Sequence, residues 1–289
     1  MADRFPPCRS LLFVPGDRPD RCDKAMVAGA DAVCVDLEDA VGPAAKAGAR
    51  DSVAAFLAKW AGPAATGADP GQGRAPPVIV RVNDPDSEEG QRDAAALTGA
   101  PRPDGFMIPK VTDAREIRSA QQLLGDNIPL LPIIETAAGL ENAVHIGAAS
   151  PAVAALMFGG FDLSAELGAE PKWEPLLYAR SRVVHAAAMS GLDTIDMPSR
   201  DFRDLTRLRD EAEKAGRLGF TGKVAIHPAQ IPVIHDVFTP SPEEVEQARR
   251  IVEADRAAGG GAVSLDGRMV DRPVVEAARR VLARSGARP

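Results

Sequence analysis

LLPIIETAAGLENA, residues 130–143, decides how the rest of the chain reads. Five apolar or proline positions run into Glu135, and a small-residue helix start follows. A short apolar run bounded by a turn signal has the pattern of a fully buried strand, so a carboxylate at its end needs a partner. VAALMFGGFDL (153–163) repeats the arrangement with Asp162 in the corresponding place. Two acids at two strand ends suggest a partner held in common.

Working outward, similar apolar runs recur at 9–15, 31–38, 77–83, 105–111, 193–198 and 223–228, which with 129–135 and 153–159 makes eight. Amphipathic stretches lie between them, for instance 18–29, 113–125 and 202–216. Strands alternating with helices build a parallel sheet. Eight such units favour a TIM (β/α)8 barrel over an open doubly wound sheet, and no GxGxxG follows the first strand to argue for a dinucleotide site. The expected division is a catalytic barrel over 1–238 and a helical extension or lid over 239–289. In the extension Ser241, Pro242 and Glu244 form a helix-start signature, and GGG (259–261) reads as a hinge. The Gly, Pro and Ala-rich stretch 61–77 reads as a flexible loop.

The formal net charge of −7 disfavours a nucleic-acid or anionic-membrane binder, because both depend on a positive field. Three cysteines without a CxxC pair indicate neither a disulfide framework nor a zinc knuckle. The N-terminus lacks the order of a signal peptide, and no apolar run approaches the roughly 20 residues that span a bilayer. A soluble, cytoplasmic protein is expected. Four histidines without paired spacing direct any metal argument to oxygen donors, hence Mg2+ or Mn2+.

Polar residues at the C-terminal ends of barrel strands carry the chemistry of this fold. They are Asp36, Glu38 and Asp39 after the second strand, Arg81 and Asn83 on the third, Lys110 on the fourth, Glu135 on the fifth and Asp162 after the sixth. Acids outnumber bases, and crowded carboxylates take up protons unless a cation compensates them. Glu135 and Asp162 are thus candidate ligands of one divalent ion. Asp162 also reads as a helix N-cap, and Lys110 as a structural ion-pair partner inside the acidic rim. Arg81 can hold a carboxylate or enolate oxygen bidentately. Arg18, Arg21 and Lys24 follow the first strand, either as an anion site at a helix start or as a solvated face.

RSLLFVPGDRPDR, DAVCVDLEDAVGPAAKAGAR, VIVRVN, PIIETAAGLENA, GGFDLSAELG and KVAIHPAQI, in this order, resemble the CitE-like branch of the HpcH/HpaI aldolase and citrate lyase family, over about residues 9–281. The resemblance implies a Mg2+-dependent barrel that cleaves or forms a carbon–carbon bond beside a coenzyme A thioester. It implies Glu135 and Asp162 as metal ligands, Arg81 on the substrate or enolate oxygen, and Glu38 and Asp39 ordering metal-bound water. Arg18 and Lys24, with Phe13, would contact coenzyme A or substrate. The tail GRMVDRPVVEAARRVL is similar to the lid of malyl-CoA and citramalyl-CoA lyases, whose Asp enters a neighbouring subunit's site; here that residue would be Asp271, with Asp266 more suited to a turn. Such a lid implies a homo-oligomer, a trimer or hexamer, and a free acyl-CoA substrate. Three rivals stay open: a malyl-CoA thioesterase, a citrate lyase β subunit acting on an acyl-carrier protein, and a non-catalytic coenzyme A-binding subunit.

Overall fold

In the barrel interior, the period of two that a strand imposes can be followed from strand to strand. The computed structural model describes residues 6–60, 75–99, 101–259 and 261–285. Most of the 61–77 loop and part of the 259–261 hinge lie outside the described residues. Eight parallel strands close in sequence order: β1 (Ser10–Pro15), β2 (Ala32–Asp36), β3 (Val78–Arg81), β4 (Gly105–Ile108), β5 (Leu130–Ile134), β6 (Ala155–Phe158), β7 (Asp193–Asp196) and β8 (Gly222–Ala225). The expected (β/α)8 barrel is therefore present, each strand within a few residues of where its apolar run predicts it.

Alternate residues fill the interior. Leu11, Phe13, Ala32, Cys34, Ile79, Met107, Leu131, Ile133, Ala155, Met157, Ile195 and Val224 form one packed cluster. Continuing the same alternation by one step toward the strand C-termini reaches Pro15, Asp36, Arg81, Glu135, Gly159, Met197 and Ile226. All seven line one cavity at that end of the barrel. The strand period alone thus turns apolar core into polar mouth.

The helices α1 (Pro19–Ala25), α2 (Lys46–Trp60), α3 (Glu88–Leu97), α4 (Ala114–Leu124), α5 (Ala137–Glu141), α6 (Ala143–Gly147), α7 (Gly160–Leu167), α8 (Leu177–Ser190), α9 (Leu205–Leu218) and α10 (Ile231–Phe238) follow the strands. Side chains cap several of them: Ser87 accepts from Gly90 N, Asp113 from Arg115 N and Asp204 from Arg207 N, each satisfying a donor that a helix start otherwise leaves open. At the opposite rim, Arg9 donates to Asp31 through its backbone N, Nε and Nη2 at 2.8, 2.8 and 2.7 Å. His235 Nε2 lies 2.7 Å from Ser10 Oγ and 3.4 Å from Asp31.

The chain divides into two units, residues 1–235 and 236–289. In the second, α11 (Pro242–Ala257) and α12 (Arg272–Arg284) pack through Ala248, Val252, Ala278 and Leu282. Ser241 and Glu244 make the reciprocal capping box that their spacing predicts. Between these helices lies a hairpin absent from the sequence reading, β9 (Val263–Leu265) and β10 (Arg268–Val270). Asp266 and Gly267 form its turn, with φ of 52° and 74°, the left-handed pair that a two-residue hairpin loop requires. Among the described residues no helix is long and apolar enough to cross a membrane.

Candidate active site

Register places the central pair. Asp36 and Arg81 are direct neighbours across β2 and β3 and both point inward, so the guanidinium meets the carboxylate edge-on. Arg81 Nε donates to Asp36 Oδ1 at 2.8 Å and Nη2 to Oδ2 at 2.6 Å, while Nη1 lies 3.1 Å from Glu38 Oε2. Burial opposes the Arg81 charge, but the bonds and charges of Asp36 and Glu38 outweigh it and raise the pKa. Of the five N–H groups a guanidinium carries, these contacts engage three and leave two. Arg81 is thus held in one orientation with donors to spare, above the ring of Phe13 at 5.4 Å.

Glu38 is buried, and desolvation raises its pKa even though Arg81 and Lys110 pull the other way. Its carboxylate also bonds Lys110 Nζ, whose charge is supported by Glu38, Asp39 and Glu135 against the cost of burial. Lys110 stands at φ 52°, a left-handed conformation that costs a side-chain-bearing residue about 1–2 kcal/mol. This backbone aims its N–H at Glu135 Oε1, 2.8 Å away. The ion-pair role read for Lys110 is present, and the strained backbone adds a second one.

Glu135 is buried, and its pKa is raised to about 8, by burial first and by the hydrogen bond and charge of Asp162 next. The two acids meet, as their strand ends predict. Asp162 does not cap α7: the N-cap is Gly159, and Asp162 sits in the first turn without a capping bond, because the helix starts three residues earlier than the N-cap reading requires. Gly159 has ordinary φ and ψ of −100° and 70°, so it is not there for backbone freedom. A Cβ on it would collide with Glu135.

The loop from Leu37 to Asp39 is fixed from outside the barrel by residues that the sequence reading passed over or left without a role. Lys46 Nζ donates to Leu37 O at 2.8 Å, Glu38 O at 3.0 Å and Asn83 Oδ1 at 2.6 Å, using all three protons of an ammonium. Asn83 Nδ2 in turn donates to Asp93 at 2.7 Å, and Asp93 accepts from Arg50 Nε at 2.6 Å. Such contacts join elements far apart in the chain and leave no local signal.

The cavity measures about 440 Å3, a size suited to a small ligand. Phe13, Asp39, Arg81, Glu135 and Asp162 line it together with Arg21, Phe161 and Arg200, and Glu38 stands behind Arg81. Arg18, the N-cap of α1, and Lys24, within it, are exposed outside the cavity wall, with Arg18 3.5 Å from Asp20. Asp271 belongs to the second unit and caps α12, accepting from Val274 N at 3.4 Å.

The Glu135–Asp162 pair suits a hard dication. Among the described residues no group of three or more His, Cys, Asp or Glu could hold an ion by itself, so water and ligand oxygens would complete the shell, as Mg2+ commonly requires. Burial and the neighbouring Asp162 raise the Glu135 pKa, so a cation placed between the two acids would relieve the cost of ionising Glu135.

Comparison with known proteins agrees with this geometry. The HpcH/HpaI aldolase/citrate lyase family model matches residues 9–228. A (3S)-malyl-CoA thioesterase of Cereibacter sphaeroides is 36% identical, with 99% of this chain and 98% of that protein covered. The citrate lyase subunit beta of Escherichia coli K12 is 35% identical, covering 96% and 93%. Among solved structures, CitE of Mycobacterium tuberculosis in complex with magnesium, acetoacetate and coenzyme A is 33% identical, has a TM-score of 0.77, and covers 99% of this chain and 100% of that one. This chain belongs to the HpcH/HpaI aldolase/citrate lyase family, whose CitE-like branch it fits.

Proposed function

We propose that this chain is a Mg2+-dependent carbon–carbon lyase that cleaves a β-hydroxyacyl-CoA such as malyl-CoA or citramalyl-CoA to acetyl-CoA and a 2-keto acid. The observation that carries the proposal is buried Glu135 meeting half-buried Asp162 in one cavity with a preorganised guanidinium. Mg2+, or Mn2+ in its place, held by those two acids would supply Lewis-acid polarisation of the hydroxy-acid oxygens. Arg81 directs its two remaining N–H groups at the thioester oxygen, where negative charge grows as the Cα–Cβ bond breaks. Because Asp36 and Glu38 already fix it, little reorganisation is spent at that moment. Asp39, exposed at the wall, orders water, and Glu38 holds Arg81 and Lys110 in place. Cleavage passes the β-hydroxyl proton to the water that Asp39 orders while Asp271 returns a proton to the acetyl-CoA methyl carbon, and synthesis runs both transfers in reverse. In this reading Asp271 acts across subunits of a trimer or hexamer, and coenzyme A reaches Phe13, Arg18 and Lys24.

Thioester hydrolysis is the second reading, favoured by the name of the Cereibacter relative. The same acids would then serve attack by water on the thioester carbon. Product analysis separates the two. Purified protein is incubated with malyl-CoA and citramalyl-CoA, with Mg2+ or with EDTA, and keto acid and free thiol are both measured. Keto acid with acetyl-CoA marks the lyase, and free coenzyme A marks the hydrolase. Neither product from either substrate in Mg2+ overturns both readings.

A further inference from the structure

Most guanidiniums in and behind the barrel mouth meet a carboxylate: Arg81 meets Asp36, Arg180 meets Asp196 and Arg50 meets Asp93. Arg200 does not. It lines the cavity on the loop after β7, and no carboxylate among the described residues pairs with it. Instead its guanidinium lies 3.8 Å over the ring of Phe161, the residue next to Asp162. A guanidinium stacked on an aromatic ring is oriented by its face and keeps its edge N–H groups for a ligand.

The loop that carries Arg200 does not depend on it. Lys223 Nζ donates to Met197 O at 2.7 Å and Gln230 Nε2 to Ser199 O at 3.0 Å, and both donors are fully buried. The loop is therefore pinned from behind, and the cation is presented on a fixed support. The cavity wall carries four carboxylates, Asp36, Asp39, Glu135 and Asp162, against the guanidiniums of Arg21, Arg81 and Arg200. An anionic ligand approaching such a wall, on a chain of net charge −7, needs a cation that no protein acid already neutralises.

We infer that Arg200 is an anion-binding residue of this cavity, its guanidinium edge taking carboxylate or phosphate oxygens of the ligand at a point separate from the Glu135–Asp162 pair. The identity of that ligand rests on the proposed function. The anion has two possible sources, a second carboxylate on the hydroxy-acid fragment or a phosphate of coenzyme A.

Calorimetric titration of the full chain in Mg2+ tests this without turnover. Coenzyme A is compared with pantetheine, which lacks the phosphates, and oxaloacetate with pyruvate, which has one carboxylate fewer. Arg200→Gln is expected to weaken one member of one pair about 10- to 100-fold and to spare its simpler partner, with Arg200→Lys retaining part of the affinity. Loss confined to coenzyme A assigns its phosphorylated nucleotide end, and loss confined to oxaloacetate assigns the carboxylate. Wild-type affinities throughout in Arg200→Gln overturn the inference, as does equal weakening of pantetheine and pyruvate, or failure of the wild-type chain to bind any of the four. If the proposed reaction fails while this selective loss persists, the binding role stands by itself.

Discussion

The two rims of the barrel each carry a knot of charged side chains, and they are built to opposite rules. At the N-terminal rim Asp31 receives three hydrogen bonds from Arg9 and lies beside His235, which also meets Ser10. Burial works against the Asp31 charge, but Arg9 and His235 more than offset it, and its pKa is lowered. At the C-terminal rim Glu135 is buried against another acid, and its pKa is raised. One knot is complete within the chain, whereas in the other Arg81 and Lys110 are taken up by Asp36 and Glu38 and leave Glu135 facing Asp162. A cluster whose charges close among themselves stabilises the fold, and one left open is a place for something else.

The contrast breaks most visibly if Glu135 proves dispensable. Glu135→Gln keeps the shape and removes the charge, and it is expected to lower turnover at least about 100-fold, as EDTA should, while the melting temperature holds or rises because the acid–acid contact is relieved. Full activity in EDTA would contradict the open-rim reading. Asp271→Asn is expected to lower turnover by about 100-fold while coenzyme A affinity and melting temperature stay as in the wild type, since Asn caps a helix as well as Asp does. Unchanged turnover removes Asp271 from the reaction. At the closed rim the pattern inverts: Asp31→Asn should cost about 1–3 kcal/mol of stability in denaturant unfolding and leave turnover of the folded protein near that of the wild type.

The smallest effect concerns pH. His235 has a pKa lowered by burial first, with Arg9 adding to it and Asp31 opposing it. The folded state therefore prefers the neutral ring. This contribution is complete above the ordinary histidine value of about 6.5 and is lost as pH falls from there toward the folded value. Asp31, lowered in the fold, keeps its own contribution until pH falls below the ordinary carboxylate value of about 3.9. Glu135 and Glu38, raised in the fold, work in the opposite sense over this window, so the reading is the difference in melting temperature between wild type and His235→Gln, which should move against the wild type as pH falls between those two values. A difference that stays constant across that window counts against the closed-rim account.

How much of this was legible in the sequence follows from which signals are local. Each barrel strand announces itself by an apolar run with a turn at its end, and counting on by two from Ile133 or Cys34 reaches Glu135 or Asp36 without any coordinates. The pairing of Glu135 with Asp162 was legible for the same reason. Lys46, Gly159 and Arg200 were not, because each acts through a partner tens of residues away or, for Gly159, through an atom that is missing. The tail hairpin escaped because three-residue strands are too short to show alternation, although Asp266-Gly267 marked its turn. The N-cap reading of Asp162 failed on a boundary, because α7 begins three residues before the point where that reading placed its start.

Gly159 sets a limit on how this scaffold can change. The room beside Glu135 exists because one side chain was left out of the β6 end of the barrel mouth. Even alanine there would push into the acid, so that wall is closed to drift. Room for variation in what the cavity accepts lies further round the barrel, at Val224 and Ile226 of the β8 end, two strands from Gly159.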